Sequence, residues 1–472
     1  LRFSAFLAKP FQNAVLSQAL GKAAKAAALL RGSGTDQGTA GRMAVSTFAI
    51  RVGGAALAYL SQIVLARLLG AHDYGIYSVA WTFLIVIGAM TCGGFSTSAS
   101  RFIPQYLQTG DMDGLRGFLR ISRQTAFFLG TVTGALGIGL VFMFRSAIDA
   151  DYVLPLIAVL FALPFFTIAQ VQDGIARSYD WPALAMVPTY IWRPLTILLL
   201  LVLAALAGLQ TDALTATVAV VSATVLIALY QYVHLQGRLA PKVPAGPRKV
   251  DLKFWLAVSA PMLLVDGFLQ LITSADVIMI SFFEDPDKVA VYFAASKTLA
   301  LVHFVYFAVR SASAHRFSGY LHNDDRAGLA DYVRQATHWT FWPSLAAGAG
   351  LLLIAPLLLR MFGSGFESGY PLIALLMIGV LARASVGPAD ALLTMTGHQK
   401  SCAVIYAATF LMNVVFNLAL IPLLGLAGAA IATSCAIFFE AAALALTVRR
   451  KLHITTFVVP LLFVTRERPV DP

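Results

Sequence analysis

Charged residues and amides stand where the chain is otherwise apolar. Arg51, Arg193, Lys297, Arg383 and Asp266 each interrupt a hydrophobic run. A charge at the centre of a bilayer costs at least about 2.5–3.5 kcal/mol on insertion scales, so such residues normally face an interior cavity and have a role. Arginine can grip phosphate oxygens through two parallel hydrogen bonds, whereas lysine offers a point charge. The four cations are therefore candidate contacts for an anionic group. Arg193 and Arg383 lie deepest; Arg51 and Lys297 are shallow enough to snorkel to the interface instead. Asp266 is a candidate gating or coupling carboxylate, with Arg51 as counter-charge or in a permanent salt bridge. Asn413 and Asn417 are spaced i,i+4 on one helix face, where buried amides need partners, and are expected as polar helix contacts. Asp276 and Asp390 fall near span ends and are expected to stabilise turns, while Glu440 has no evident partner.

The elements that position these residues must be membrane helices. The 472 residues are 59% hydrophobic and 12% charged, against about 25% charged in an ordinary soluble domain. Runs of about 20 apolar residues suit a helix crossing roughly 30 Å of hydrocarbon. Twelve spans are expected, at 44–66, 75–98, 124–144, 152–173, 183–207, 213–234, 255–281, 290–309, 339–359, 371–393, 402–421 and 425–447. Pro164, Pro188, Pro194, Pro261, Pro356 and Pro388 fall inside them, breaks that membrane helices tolerate where neighbours satisfy the freed backbone groups. The short alternating segments of an outer-membrane barrel are missing from the sequence. The fold class is all-α and polytopic.

The chain also repeats itself. Tyr106-Leu107, Gly114-Leu115 and Arg120 return 214 residues later as Tyr320-Leu321, Gly328-Leu329 and Arg334, and Arg101-Phe102 returns as Arg316-Phe317. The turn Asp73–Tyr77 has its counterpart in Asp287–Tyr292. Two similar halves are the usual layout of a secondary transporter with its substrate between them. Six spans precede the Pro- and Lys/Arg-rich stretch 235–254 and six follow, so the halves share one orientation and are related by a pseudo-two-fold axis along the membrane normal. The expected organisation is a segment 1–43, a six-helix lobe 44–234, a linker 235–254, a second six-helix lobe 255–448 and a tail 449–472. The repeat aligns Asp266 with Arg51, which is why those two are expected to pair across the lobes.

With both termini inside, 26 Lys/Arg fall on the cytoplasmic side and 4 outside, the expected topogenic bias. The net charge of +11 then anchors topology and faces anionic lipid heads, so nucleic acid need not be invoked. Cys92, Cys402 and Cys435 form no metal-type cluster, and the histidines are scattered, so no metal or cofactor is expected. Residues 1–42 lack a secretory-signal core and read as a cytoplasmic, membrane-surface helix or an overextended start. No phosphate-binding G-x-x-x-x-G-K-[ST] loop occurs, which argues against an ATP-driven pump. Short outward loops leave little room for an enzyme's catalytic domain, so none is expected.

The stretch Asn413-Val-Val-Phe-Asn417-Leu-Ala-Leu-Ile421-Pro422-Leu-Leu-Gly425-Leu-Ala-Gly428 resembles the eleventh-to-twelfth helix signature of polysaccharide transport proteins. These are lipid-linked oligosaccharide flippases of the multidrug/oligosaccharidyl-lipid/polysaccharide exporter superfamily. Ala56–Gly70 with Asp73–Tyr77, and Pro261, Asp276–Ile280 and Tyr292–Lys297, are similar to further segments of the same family. The arginine-rich first helix of the peptidoglycan-precursor flippase is not found, and twelve spans are fewer than its fourteen. The resemblance implies passage of an undecaprenyl-pyrophosphate-linked oligosaccharide to the external leaflet of a bacterial inner membrane by alternating access. It implies membrane lipids, a polysaccharide polymerase and a chain-length regulator as partners in O-antigen or exopolysaccharide synthesis. The alternative is a drug/cation antiporter of the same superfamily, which should favour acidic rather than cationic cavities.

Overall fold

The computed structural model describes residues 36–322 and 325–458; the expected surface helix within 1–35 and the end of the tail lie outside them. Among the described residues, eleven helical segments are long and apolar enough to cross a membrane. The first, Ile50–Thr109, carries two crossings, because its helix Asp36–Thr91 is kinked at Gly70, where φ is 78°. That gives the twelve crossings expected, in two lobes of six.

Spans 1 and 2 meet at Gly70. Span 2 breaks again at Gly93-Gly94, both left-handed, and continues as Phe95–Thr109. Span 3 is Met112–Met143, span 4 Ala150–Ser178 and span 6 Ala213–Leu239. Span 5 runs from Pro182 to Leu206 with a π-helical turn, Pro188–Trp192, immediately before Arg193. In the second lobe, span 7 is Leu252–Ile280, span 8 Pro286–His322 and span 9 Arg326–Phe362. Span 10 is Tyr370–Ser385, followed by a short helix Ala389–Met395. Span 11 is Gln399–Leu424 and span 12 Leu426–Leu452.

Local sequence explains many of these limits. Spans 3, 6, 7 and 9 each begin on an aspartate whose carboxylate accepts from the backbone N–H three residues on, satisfying one orphan donor of the first turn. Spans 8 and 9 are longer than their apolar cores. At 37 residues each, and 1.5 Å per residue, they reach about 55 Å and extend well past the hydrocarbon. Arg310, expected in a loop, consequently lies within span 8. Span 11 passes through Pro422 and ends only at Gly425, whose φ is 58°. The chain then doubles back so closely that a Cβ at Gly428 would sit 2.1 Å from the Leu420 carbonyl oxygen.

The repeat is structural. Asp111 accepts from the Gly114 amide at 2.8 Å, and Asp325 accepts from the Gly328 amide at 2.8 Å. The Tyr106 and Tyr320 rings cover these glycines so that a Cβ would lie 2.8 and 2.9 Å from their edges. The same turn is thus built twice, once per lobe.

The buried apolar residues fall into three clusters. One contains residues of both lobes, among them Tyr59, Tyr74, Tyr77, Tyr292, Phe293, Phe362 and Phe366. The second joins the inner ends of spans 2 to 6 with Trp255. The third joins inner parts of the second lobe around Phe317, Leu392 and Tyr406. Sides are named by the basic-residue bias: the shared cluster lies toward the outer face, the separate ones toward the inner face. The lobes share one core at the outer face and build separate cores at the inner face, where span 7 still contacts span 2.

Candidate functional site

The outer closure is built by spans 1 and 2 against spans 8 and 9. The Tyr59 hydroxyl and Thr298 Oγ1 are hydrogen-bonded at 3.0 Å. Tyr74 is fully buried against Phe293, Phe362 and Phe366, with ring centroids 5.8–6.3 Å apart. Gly75 approaches Pro286 so closely that a Cβ would lie 1.9 Å from its carbonyl oxygen. Arg67 donates to the carbonyls of Arg360 and Met361 at 2.7 Å each.

Below this seal the lobes touch along a narrower line. Span 7 packs on the inner half of span 2. Ser259 and Ser98 share a hydrogen bond of 2.7 Å, and a Cβ at Gly94 would meet the Ser259 carbonyl at 2.3 Å. Asp266 is exposed and accepts from the Thr97 hydroxyl at 2.6 Å. The expected Arg51–Asp266 pair is not formed: Arg51 is exposed and makes no hydrogen bond or ion pair among the described residues. The two-fold relation explains this. Spans 1 and 7 are equivalent, and each packs on the second helix of the opposite lobe, span 1 on span 8 and span 7 on span 2. Aligned positions therefore lie on opposite sides of the axis.

Lys297 is half-buried on span 8, one residue from the Tyr59–Thr298 contact, with Nζ 4.7 Å from the centroid of the Phe293 ring. It has no carboxylate partner among the described residues. Lys297 and Arg51 are thus the two expected cations left without a counter-charge and open to solvent or ligand.

Arg193 and Arg383, the two deepest candidate contacts, do not meet in one cavity but lie in separate lobes. Arg193 is 5% exposed within the first lobe, stacked 5.2 Å from the Phe166 ring centroid. Its Nε and Nη2 lack hydrogen-bond partners among the described residues. Just inward, Asp173 accepts from Gln231 and from Thr189 at 3.0 Å. Arg383 is 6% exposed within the second lobe and is hydrogen-bonded to the fully buried Glu440, over the Tyr306 ring. Glu440 has a partner after all, in span 10. Each deep arginine is enclosed by its own lobe, because six helices provide an interior for a charge without recourse to the interlobe cleft.

Asp390 belongs to the same buried group and does more than stabilise a turn. It accepts from Arg310 Nε at 2.6 Å, from the Tyr306 hydroxyl at 2.8 Å and from the Tyr406 hydroxyl at 3.3 Å. Arg310 is the member of this group that reaches outward, with 38% of its side chain exposed.

Asp276, also expected at a turn, is the hub of a second network. It accepts from Thr433 at 2.6 Å, Tyr292 at 2.8 Å and Asn417 at 3.3 Å. Asn413 donates to Thr433 at 3.1 Å, and Asn417 donates to the Asn413 carbonyl at 2.9 Å. The two amides are fully buried and tie spans 7, 8, 11 and 12 together, since polar groups away from water must find partners. Among the described residues no cluster of three His, Cys, Asp or Glu could hold a metal ion.

Sequence reasoning missed Arg310 and Asp173, which lie where apolar runs give out while the helices continue. Helical periodicity carries the missing signal: Tyr306 and Arg310 are i,i+4, so an acid facing one can face both.

A family model described as "Polysaccharide biosynthesis protein" matches residues 41–315, and a MatE model matches residues 261–419. No curated protein matches the chain. Among solved structures it is similar to an inward-facing multidrug resistance MATE family transporter of the MOP superfamily, with TM-score 0.70 and 17% identity over 84% of this chain and 94% of that one. The lipid II flippase MurJ in an inward closed conformation aligns with TM-score 0.65 and 14% identity, over 86% of this chain and 87% of that one. An outward-facing MATE transporter of the superfamily aligns with TM-score 0.63 and 16% identity, over 86% and 94%. With twelve crossings in two lobes of this fold and the first family model spanning more than half of its length, the chain belongs to the polysaccharide biosynthesis protein family.

Proposed function

We propose that this multi-pass membrane protein is a flippase that moves undecaprenyl-pyrophosphate-linked oligosaccharide units from the cytoplasmic to the external leaflet of a bacterial inner membrane. Alternating access of two lobes carries the movement, with both termini cytoplasmic and a polymerase and chain-length regulator acting downstream. The observation that carries this reading is the polysaccharide biosynthesis match across residues 41–315, covering the whole first lobe and span 8 almost to its end.

The electrostatics supports it more narrowly than a count of cations does. The charges within the spans are mostly matched or enclosed, Arg123 being buried against Tyr232 in the first lobe. Arg383 with Glu440 and Arg310 with Asp390 are paired, and Arg193 sits near Asp173. Lys297 and Arg51 remain as uncompensated charges toward the cleft, at different depths. A diphosphate passing between the lobes can meet Arg51 at the inner mouth and Lys297 beneath the outer seal. Arg310, its charge partly offset by Asp390, adds a third contact from the second lobe. The sugars must be shielded from hydrocarbon during passage.

Deletion of the protein in its host tests the reading. The expected result is loss of surface polysaccharide with accumulation of lipid-linked oligosaccharide in the inner leaflet. Normal polysaccharide combined with new sensitivity to cationic drugs would favour the antiporter instead.

A further inference from the structure

His72 lies two residues past the Gly70 kink, between the apolar runs 44–66 and 75–98 and outside both, at the outer junction of the two lobes. Its Nε2 is 3.4 Å from Asp151 Oδ2, at the start of span 4 in its own lobe. Its Nδ1 is 3.5 Å from Asp287 Oδ2, at the start of span 8 in the other lobe. All three side chains are at least half exposed, so protons reach them from outside. Neighbouring Asp73 caps span 6 by accepting from the Ala213 amide at 3.0 Å. Among the described residues neither Asp151 nor Asp287 has another ion pair, and the nearby cations Lys288 and Arg360 are paired with Glu284 at 2.6 Å and Glu367 at 2.7 Å.

The two ring nitrogens decide what this geometry does. A neutral imidazole has one N–H donor and one acceptor, so it can donate to one of the two carboxylates and presents a lone pair to the other. An imidazolium donates to both and joins the lobes. Desolvation works against the charged form. Hydrogen bonds to Asp151 and Asp287, with the charges of Asp287 and Asp73, outweigh it and raise the pKa above the ordinary histidine value. The contact breaks when the lobes part outside, because Asp287 moves away with span 8.

We propose that His72 is a pH-sensitive latch on the outer closure: protonated, it clamps Asp287 to Asp151 and holds the outer face closed; deprotonated, it lets the outer face open. The sign follows from linkage. A pKa raised in the closed state gives stabilisation that is fully present below the ordinary histidine pKa and lost as the pH rises through the raised one. The latch acts from the outer side and does not depend on what is carried. It rests on the alternating-access reading, and a conformational measurement separates the two.

The test is the distribution of distances between spin labels on the full-length protein in nanodiscs. Labels replace Gln210 in the first lobe and Ser364 in the second, with the exposed Cys435 changed to alanine. From pH 8.5 to pH 5.5 the ratio of closed to open outer face should rise about fivefold, the scale of two exposed ion pairs. His72→Gln should flatten that dependence, and Asp287→Asn should reduce it, while unfolding temperature stays unchanged. Two distance populations that ignore pH, or a His72→Gln protein with undiminished dependence, overturn the latch while leaving alternating access intact. A single population under all conditions contradicts alternating access itself.

Discussion

Thr97 and Asp266 join the two lobes across the inner contact, the threonine hydroxyl donating to the carboxylate at 2.6 Å. The bond links the broken inner half of span 2 to span 7, and inward opening changes the separation of these elements. Asp266→Ala and Thr97→Val should each lower polysaccharide export several-fold at normal membrane abundance. Asp266→Asn should retain part of it, because an amide oxygen still accepts the bond. Exchanging charges, Arg51→Asp with Asp266→Arg, should give no recovery, since the two side chains do not meet. Recovery in the exchanged protein would show that they do.

The Arg383–Glu440 pair is expected to act on stability first. Removing one partner leaves an uncompensated buried charge and costs about 3–5 kcal/mol. Arg383→Ala and Glu440→Leu should each depress the unfolding temperature of the purified protein, while Arg383→Met combined with Glu440→Leu should restore much of it. Single variants with unaltered unfolding and abolished export would make Arg383 a substrate contact.

Lys297 should behave in the opposite way. It has no carboxylate to leave stranded, so Lys297→Met should keep the protein abundant and folded. Export should fall at least about tenfold, the loss of one charge-assisted contact to a phosphate, and Lys297→Arg should largely retain it. Export unaffected by Lys297→Met would remove the residue from the substrate path.

Gly75 provides a steric test of the outer closure. A methyl group at that position would lie 1.9 Å from the Pro286 carbonyl oxygen, a distance that backbone cannot yield without separating spans 2 and 8. Gly75→Ala should therefore shift the lobes toward outer opening, seen as longer label distances across the outer face. Unchanged distances would mean that the close approach relaxes locally.

Much of this architecture was legible in the sequence, and the parts that were not have a common physical cause. Hydropathy located the twelve crossings because lipid demands about 20 apolar residues from each. The doubled Tyr106–Gly114 and Tyr320–Gly328 motif announced two lobes because it is one turn used twice. The i,i+4 spacing marked Asn413 and Asn417 as neighbours on one face, although nothing in the spacing pointed to Asp276 across the lobe. Depth along a span says little about direction around it. Arg193 and Arg383 stand near mid-span yet turn into the interiors of their own lobes. Asp173 closes an apolar run and Arg310 lies just beyond one, on helices that continue further inward. Pairing is a tertiary property, so the partners of Asp266 and Glu440 emerged only with the packing.

Movement of a lipid-linked oligosaccharide between leaflets is tested directly by reconstitution. Purified protein is placed in liposomes with an undecaprenyl-pyrophosphate-linked oligosaccharide in the inner leaflet, and its appearance outside is followed by a membrane-impermeant lectin or glycosidase. Transfer should require the protein, weaken sharply with Lys297→Met, and be competed by other diphosphate-linked sugars but not by lipophilic cations. Transfer no faster than in protein-free liposomes, alongside uptake of a lipophilic cation against a proton or sodium gradient, would contradict it.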